Sequence, residues 1–241
     1  MEMLKLRKSE ERGRGSHGWL NSHHSFSFAG YHDPSHMGVS YLRVINEDRV
    51  APGAGFATHA HRDMEIVSYV LEGALEHRDN LGNRALIQPG EVQRMSAGTG
   101  VSHSEYNASD TLPVHFLQIW VLPDTAGLEP SYEQRAYSTA ERTARWRLVA
   151  SGDGREGSVR VHQDMALYAT LLPAGEVVEF VPASARVAYL FIARGTGELN
   201  GLSLSPGDAV EADAQEVLRL TATGEIEALL FDLPQLGGAV G

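Results

Sequence analysis

The stretch 58–73, THAHRDMEIVSYVLEG, sets two histidines one residue apart at His59 and His61, adds a carboxylate at Glu65, then runs into apolar residues that stop at Gly73. EIVSYVLEG (65–73) is rich in β-branched and aromatic residues, as a buried strand is. Side chains on a strand alternate between faces, so His59 and His61 point the same way if the strand is regular. Four more segments read alike: VSYLRVI (39–45), VHFLQIWVLP (114–123), LYATLLP (167–173) and VAYLFIARG (187–195). Gly, Pro, Asn and Asp separate them at short spacing. HRDNLGNRALI (77–87) places turn residues between two strand-like pieces, as a hairpin does. Helical periodicity is scarce; TAERTARWRLVA (139–150) is its best instance. The expectation is an all-β chain of many short strands, hence a sandwich or barrel.

The two halves read as copies of one unit. Gly53 and Gly73 are twenty residues apart, and so are Gly175 and Gly195. Each first glycine closely follows a proline (Pro52, Pro173), each second glycine ends a strand, and each strand is followed by a Pro-Gly-acid turn (Pro89-Gly90-Glu91, Pro206-Gly207-Asp208). Such self-similarity is the mark of an internal repeat. Between them, residues 124–158 are polar and poor in strand signals, a connector that is partly helical and ends in a Gly-rich loop.

GTGVSHSEYN supplies a second same-face pair, His103 and Glu105. Two neighbouring strands of a small barrel can aim both pairs at its axis. Three imidazole nitrogens and one carboxylate oxygen suit divalent iron, nickel, cobalt, manganese, copper or zinc, with a coordination position left open. The repeat is an internal control. The offsets from Gly53 to His59 and His61, six and eight, land on Val181 and Ala183 when counted from Gly175; those from Pro89 to His103 and Glu105, fourteen and sixteen, land on Leu220 and Ala222 from Pro206. One metal site in the N-terminal half is therefore expected, and none in the C-terminal half. Asp63 and Glu65 share the parity of His61; either could orient an imidazole, and Glu65 is the reserve ligand. His23, His24, His32 and His36 read as surface, loop or pocket-mouth residues. His77 reads as hairpin packing and His115 as a core or cavity-wall residue, while His17 and His162 stay unassigned.

Composition narrows the function classes. The chain has 241 residues, 42% of them apolar, enough for one large domain or two small ones. Its net charge of −11 and the lack of a basic stripe argue against nucleic acid and anionic membranes as partners. With no cysteine there is no disulfide, thiolate catalysis or iron–sulfur cluster. The charged opening MEMLKLRKSEERGRG reads against a signal peptide, and no apolar run is long enough to span a bilayer. A cytoplasmic protein acting on a small molecule, or binding a protein, is expected.

These residues also carry a family likeness. PGAGFATHAHRDMEIVSYVLEG is similar to the first cupin motif, with Gly53 as its glycine, although seven residues rather than six separate Glu65 from Gly73. The longer second motif PGEVQRMSAGTGVSHSE, the HGWLNSHHSFSFAGYHDP before it and the YEQR after it resemble the pirin family, and within it a bacterial branch with quercetin 2,3-dioxygenase activity. The resemblance covers nearly the whole chain and is strongest from His17 to Arg135. It implies a bicupin: two stacked double-stranded β-helix (jelly-roll-like) barrels, a metal-binding cupin over 1–135, a connector over 136–158, and a metal-free cupin over 159–241. It implies His59, His61, His103 and Glu105 as ligands of one divalent ion, iron(II) first among those named. The implied reaction is opening of the central ring of a flavonol such as quercetin by dioxygen, with loss of carbon monoxide, Glu105 serving as ligand and base. A monomer is expected. The rival implied by the same family is a metal- and redox-sensing regulator that binds a protein partner.

Overall fold

The computed structural model describes residues 4–213 and 217–236, so the outermost residues of the two expected domains, 1–3 and 237–241, lie outside the described residues, as do 214–216. Strands make up most of it, and all strand pairs in its registers run antiparallel. No helix among the described residues is long and apolar enough to cross a membrane.

The chain forms two compact units: Arg12–Ala136 with Val159–Gln163, and Tyr137–Ser158 with Asp164 onward and the opening segment up to Glu11. The division at 135 and 158 read from the sequence follows the chain linearly, whereas these units exchange segments.

In the first unit a seven-stranded sheet runs, edge to edge, Ser131–Ala136, Glu91–Ser96, Glu65–Glu72, Val114–Val121, Leu42–Val50, Leu20–His24, Gly13–Ser16. The second sheet has four strands in the order Gly55–His61, Val101–Asn107, Leu75–Asp79, Arg84–Ile87; the last two are the hairpin expected at 77–87. Glu65–Glu72 and Val114–Val121 are central and buried almost end to end, which is why they read as continuous apolar runs. Val70, Leu75, Ile87, Val114 and Phe116 pack into one apolar cluster, each buried side chain contributing roughly 1.5–3 kcal/mol. Val101–Asn107 shows the opposite pattern: residues 101, 103, 105 and 107 are buried and those between are not, so His103 and Glu105 share the inward face.

The second unit repeats this order. Its large sheet contains Leu4–Arg7, Ala209–Asp213, Arg186–Arg194, Ile226–Pro234, Ala166–Leu172 and Arg147–Ser151, and its small sheet Val177–Phe180, Leu218–Ala222, Gly197–Leu199, Leu202–Leu204. The position taken by Ser131–Ala136 in the first unit is taken here by Leu4–Arg7, paired in register with Ala209–Asp213. Gly73 and Gly195 end equivalent strands with φ of 73° and 77°. A Cβ would lie 2.9 Å from Pro113 O at Gly73 and 1.6 Å from Glu225 O at Gly195, so the twenty-residue spacing marks two turns that require glycine. The equivalents of His103 and Glu105, Leu220 and Ala222, lie in an apolar cluster with Leu190, Leu199 and Leu230.

The helix expected over 139–150 is confined to Thr139–Arg142. Ser138 and Glu141 form a reciprocal capping box there. The chain turns extended at Thr143, and Arg147–Ser151 joins the sheet beside Ala166–Leu172, burying Leu148, Val149 and Ala150. Sheet pairing and burial of consecutive apolar residues outweigh helix propensity in this segment. The stretch read as a connector thus supplies a strand to the second unit.

Candidate metal centre

Gly55–His61 and Val101–Asn107 are neighbours in the small sheet of the first unit. Their register puts His103 opposite His59 and Val101 opposite His61. The register shifts between His103 and Glu105, so Glu105 pairs with Phe56, leaving an extra residue on the first strand. The three imidazoles converge, with ring centroids 4.5 Å apart for His59–His103, 4.8 Å for His59–His61 and 4.9 Å for His61–His103. One ligand nitrogen from each lies within 4.8 Å of the others. Glu105 is two residues along on the same inward face. Its carboxylate groups with His103 and His77 at that spacing, rather than with all three expected imidazoles. Both such groupings among the described residues lie in the first unit.

Hydrogen bonds select the tautomers of His59, His77 and His103. His59 Nδ1 donates to Ala57 O at 2.8 Å, which leaves the lone pair on Nε2. His77 Nε2 donates to Asp79 Oδ2 at 3.0 Å, so its Nδ1 accepts from His103 Nδ1, 3.4 Å away. His103 Nε2 then carries a lone pair, and it is buried without a hydrogen-bond partner, as is His61 Nε2. Burial, reinforced by neighbouring imidazoles, lowers the pKa of His61 to about 4 and of His103 to about 2. His61 and His103 are therefore neutral at neutral pH. Buried, unpartnered imidazole lone pairs fit a divalent cation.

Glu105 is fully buried, which pushes its carboxyl above the ordinary range against the pull of a hydrogen bond from Gln118. Gln118 Nε2 donates to Oε2 at 2.7 Å, and the Ser68 hydroxyl lies 3.2 Å from Oε1. Ser68 and Gln118 are polar residues in the middle of two mostly apolar central strands, paired in register with each other. Sequence reading missed both, together with the Asp79–His77 support of His103. The signal was there: one polar residue at inward parity in an apolar strand, and the same-face pair His77 and Asp79 two residues apart.

The other carboxylates near the motif do different work. Glu65 Oε2 accepts from His162 N at 3.0 Å and lies 3.2 Å from His162 Nδ1, and Asp63 Oδ1 accepts from Gly127 N at 2.6 Å. His115 is buried against Glu47 Oε1 at 2.9 Å. His36 pairs with Asp33 near the surface, and His32 is exposed. His24 is buried on Leu20–His24, and His17 is exposed at the rim of a cavity.

That cavity, about 760 Å³, opens beside the imidazoles and is bordered by His59, His61 and Glu105. Trp19, Phe28, Tyr31, Phe56 and Trp120 form its aromatic wall. His61 meets Trp120 edge-on at 4.9 Å, and Phe28 meets Trp120 at 5.4 Å. Ser22, His24, Asn46, Asp48 and Gln118 give it a polar floor.

Comparison with known proteins places this arrangement. The pirin family matches residues 5–121, and the quercetinase C-terminal cupin domain matches residues 148–233. The chain is 46% identical over 232 residues to the quercetin 2,3-dioxygenase of Escherichia coli strain K12, covering 96% of this chain and 99% of that one. The chain belongs to the pirin family. A crystal structure of the bacterial pirin YhhW from E. coli in complex with nickel(II) matches with a TM-score of 0.91 at 46% identity, over 97% of this chain and 100% of that one. A putative quercetin 2,3-dioxygenase of Pseudomonas aeruginosa is 40% identical over 96% of this chain and all of its own length. For a pirin, an all-β fold of two cupin-type domains is the shared architecture, and the nickel complex of its relative makes a divalent metal plausible at the imidazole cluster.

Proposed function

We propose that this pirin is a metal-dependent quercetin 2,3-dioxygenase that opens the central ring of a flavonol with dioxygen and releases carbon monoxide. The observation that carries the reading is the convergence of three imidazoles, with Nε2 of His61 and His103 buried and unpartnered, at the edge of an aromatic-walled cavity of about 760 Å³, a volume in the range of small-molecule sites. His59, His61 and His103 would hold the metal, with Glu105 as the fourth ligand, and iron(II) is the first candidate. A divalent ion held there supplies Lewis acidity that lowers the pKa of a hydroxyl brought against it. Glu105 takes the proton from the flavonol 3-hydroxyl. Gln118 and Ser68 keep that carboxylate aimed by occupying both of its oxygens. Trp19, Phe28 and Trp120 hold the flat ligand and keep water from the electron-rich flavonolate.

The names of the curated relatives support the same chemistry. The regulatory alternative needs an apolar docking patch at the metal mouth. Among the described residues the exposed large apolar side chains, Leu112 and Val181 the most exposed of them, do not border the cavity, so the ligand-sized cavity favours the enzyme. The test is oxygen uptake and carbon monoxide release with quercetin by protein loaded with iron, nickel, cobalt or manganese. His59→Ala and Glu105→Gln should lose turnover; quercetin decay unchanged in both would overturn the reading.

A further inference from the structure

One carboxyl in the cavity wall has no part in the reaction just described. Asp48 sits on Leu42–Val50, paired in register with Ser22 on one side and Phe116 on the other. It borders the cavity while only 3% exposed, and its Oδ1 is buried without a hydrogen-bond partner. Ser22, 2% exposed, hydrogen-bonds to the carboxyl and also borders the cavity. The neighbouring polar row is already paired: His24 Nδ1 lies 2.8 Å from Asn46 Oδ1, and Gln118 is spent on Glu105. A buried carboxyl oxygen facing a ligand cavity with nothing attached is an unused recognition element.

We infer that Asp48, supported by Ser22, forms a hydroxyl-recognising subsite, taking an O–H of an aromatic ligand other than the one presented to the imidazoles. This rests on the reading that the cavity holds a polyhydroxylated aromatic. The chemistry of the wall selects a hydroxyl. Burial, with further repulsion from Glu105 and Glu47, pushes the Asp48 pKa up to about 7, so both protonation states are accessible near neutrality. A phenolic hydroxyl both donates and accepts and pairs with either state, whereas a methoxy group only accepts. An anionic group is repelled by Asp48 and Glu105. A cationic one meets Arg14, which also borders the cavity, and the charge of any ion held by the imidazoles.

The test reads binding without turnover. Metal-loaded protein is titrated under nitrogen with quercetin and with 3-hydroxyflavone, which keeps only the reacting hydroxyl, and Trp19 and Trp120 in the cavity wall report by fluorescence. Wild type should prefer quercetin, Asp48→Leu should lose about tenfold in quercetin affinity with 3-hydroxyflavone within about twofold, and Asp48→Asn should keep much of the preference. If Asp48→Leu does not fold, wild type alone decides, since quercetin methylated at every hydroxyl except the 3-hydroxyl should bind as 3-hydroxyflavone does. Equal affinities of wild type for quercetin and its methylated form, or an Asp48→Leu preference equal to that of wild type, overturn the subsite. Quercetin bound with an Asp48-dependent preference but stable in air sinks the dioxygenase reading alone. Quercetin consumed without that preference sinks the subsite alone. A protein that binds neither ligand sinks both.

Discussion

His77 accepts a hydrogen bond from His103 across 3.4 Å between their Nδ1 atoms, and Asp79 anchors the far side of the His77 ring at 3.0 Å. The chain of three leaves His103 one free nitrogen, Nε2, on the side of His59 and His61. Replacing His77 by Phe keeps a ring in the space and removes the acceptor. Metal affinity should fall roughly 10- to 100-fold, as it does when the partner of a ligating histidine is removed. Competition against a chelator, with circular dichroism to verify the fold, measures it; unchanged affinity would show that His103 needs no such support.

Gln118 gives the buried Glu105 its shorter hydrogen bond, 2.7 Å. Gln118→Leu leaves that carboxyl short of a donor in the interior. A loss of about 1–3 kcal/mol is expected from unfolding in urea of metal-stripped protein. A variant as stable as wild type would mean that water or Ser68 replaces the amide without cost.

Asp48 links stability to pH. Its pKa is about 7 in the folded chain against an ordinary 3.8, with burial the largest cause. The folded state holds the proton more tightly, so this stabilising contribution is complete below about pH 4 and is lost as pH rises through about 7. Three pKa units set an upper bound of about 4 kcal/mol. Asp48→Asn has no such proton to lose. In denaturation of metal-stripped protein it should gain on wild type steadily from pH 4.5 to 8, and parallel curves would refute the assignment. The same substitution bears on ligand preference, an instance of stability being given up at a binding wall.

Two glycines of equal backbone sign should respond unequally. Gly195→Ala forces a methyl against Glu225 O and should cost more than about 2 kcal/mol, because a paired strand must move. Gly82, with φ of 95° and open space around it, should cost about 1–2 kcal/mol for backbone strain alone. Thermal denaturation of the pair decides; equal losses would mean that the strand end at Gly195 yields freely.

Metal itself should stabilise. Nickel(II) or iron(II) at about a hundred times its dissociation constant should add about 2.7 kcal/mol to wild type and nothing to His103→Ala, as read by the midpoint of thermal unfolding.

The imidazole cluster was legible because strand alternation is a strict geometric rule: once 59, 61, 103 and 105 share parity, only the pairing of the two strands remains to be found. The glycine repeat was legible because positive φ restricts residue choice at Gly73 and Gly195. Short polar strands such as Gly13–Ser16 carry no such mark and depend on their neighbours. The helix over 139–150 was over-read because propensity is local, while the sheet partner Ala166–Leu172 comes later in the chain. Gln118 and Ser68 carried a parity signal, but their role beside Glu105, like that of Asp48 within the polar run 46–49, depends on contacts made only in the fold.

The exchanged edge strand matters for how the chain is made. Leu4–Arg7 leaves the ribosome well before its pairing partner, Ala209–Asp213. At bacterial and eukaryotic elongation rates the wait is on the order of 10–40 s. Cutting the gene between the two repeats would strip one lobe of its first strand and the other of residues 159–163. Neither repeat carries every segment of its own unit, so neither can be removed or transplanted without taking a piece of the other.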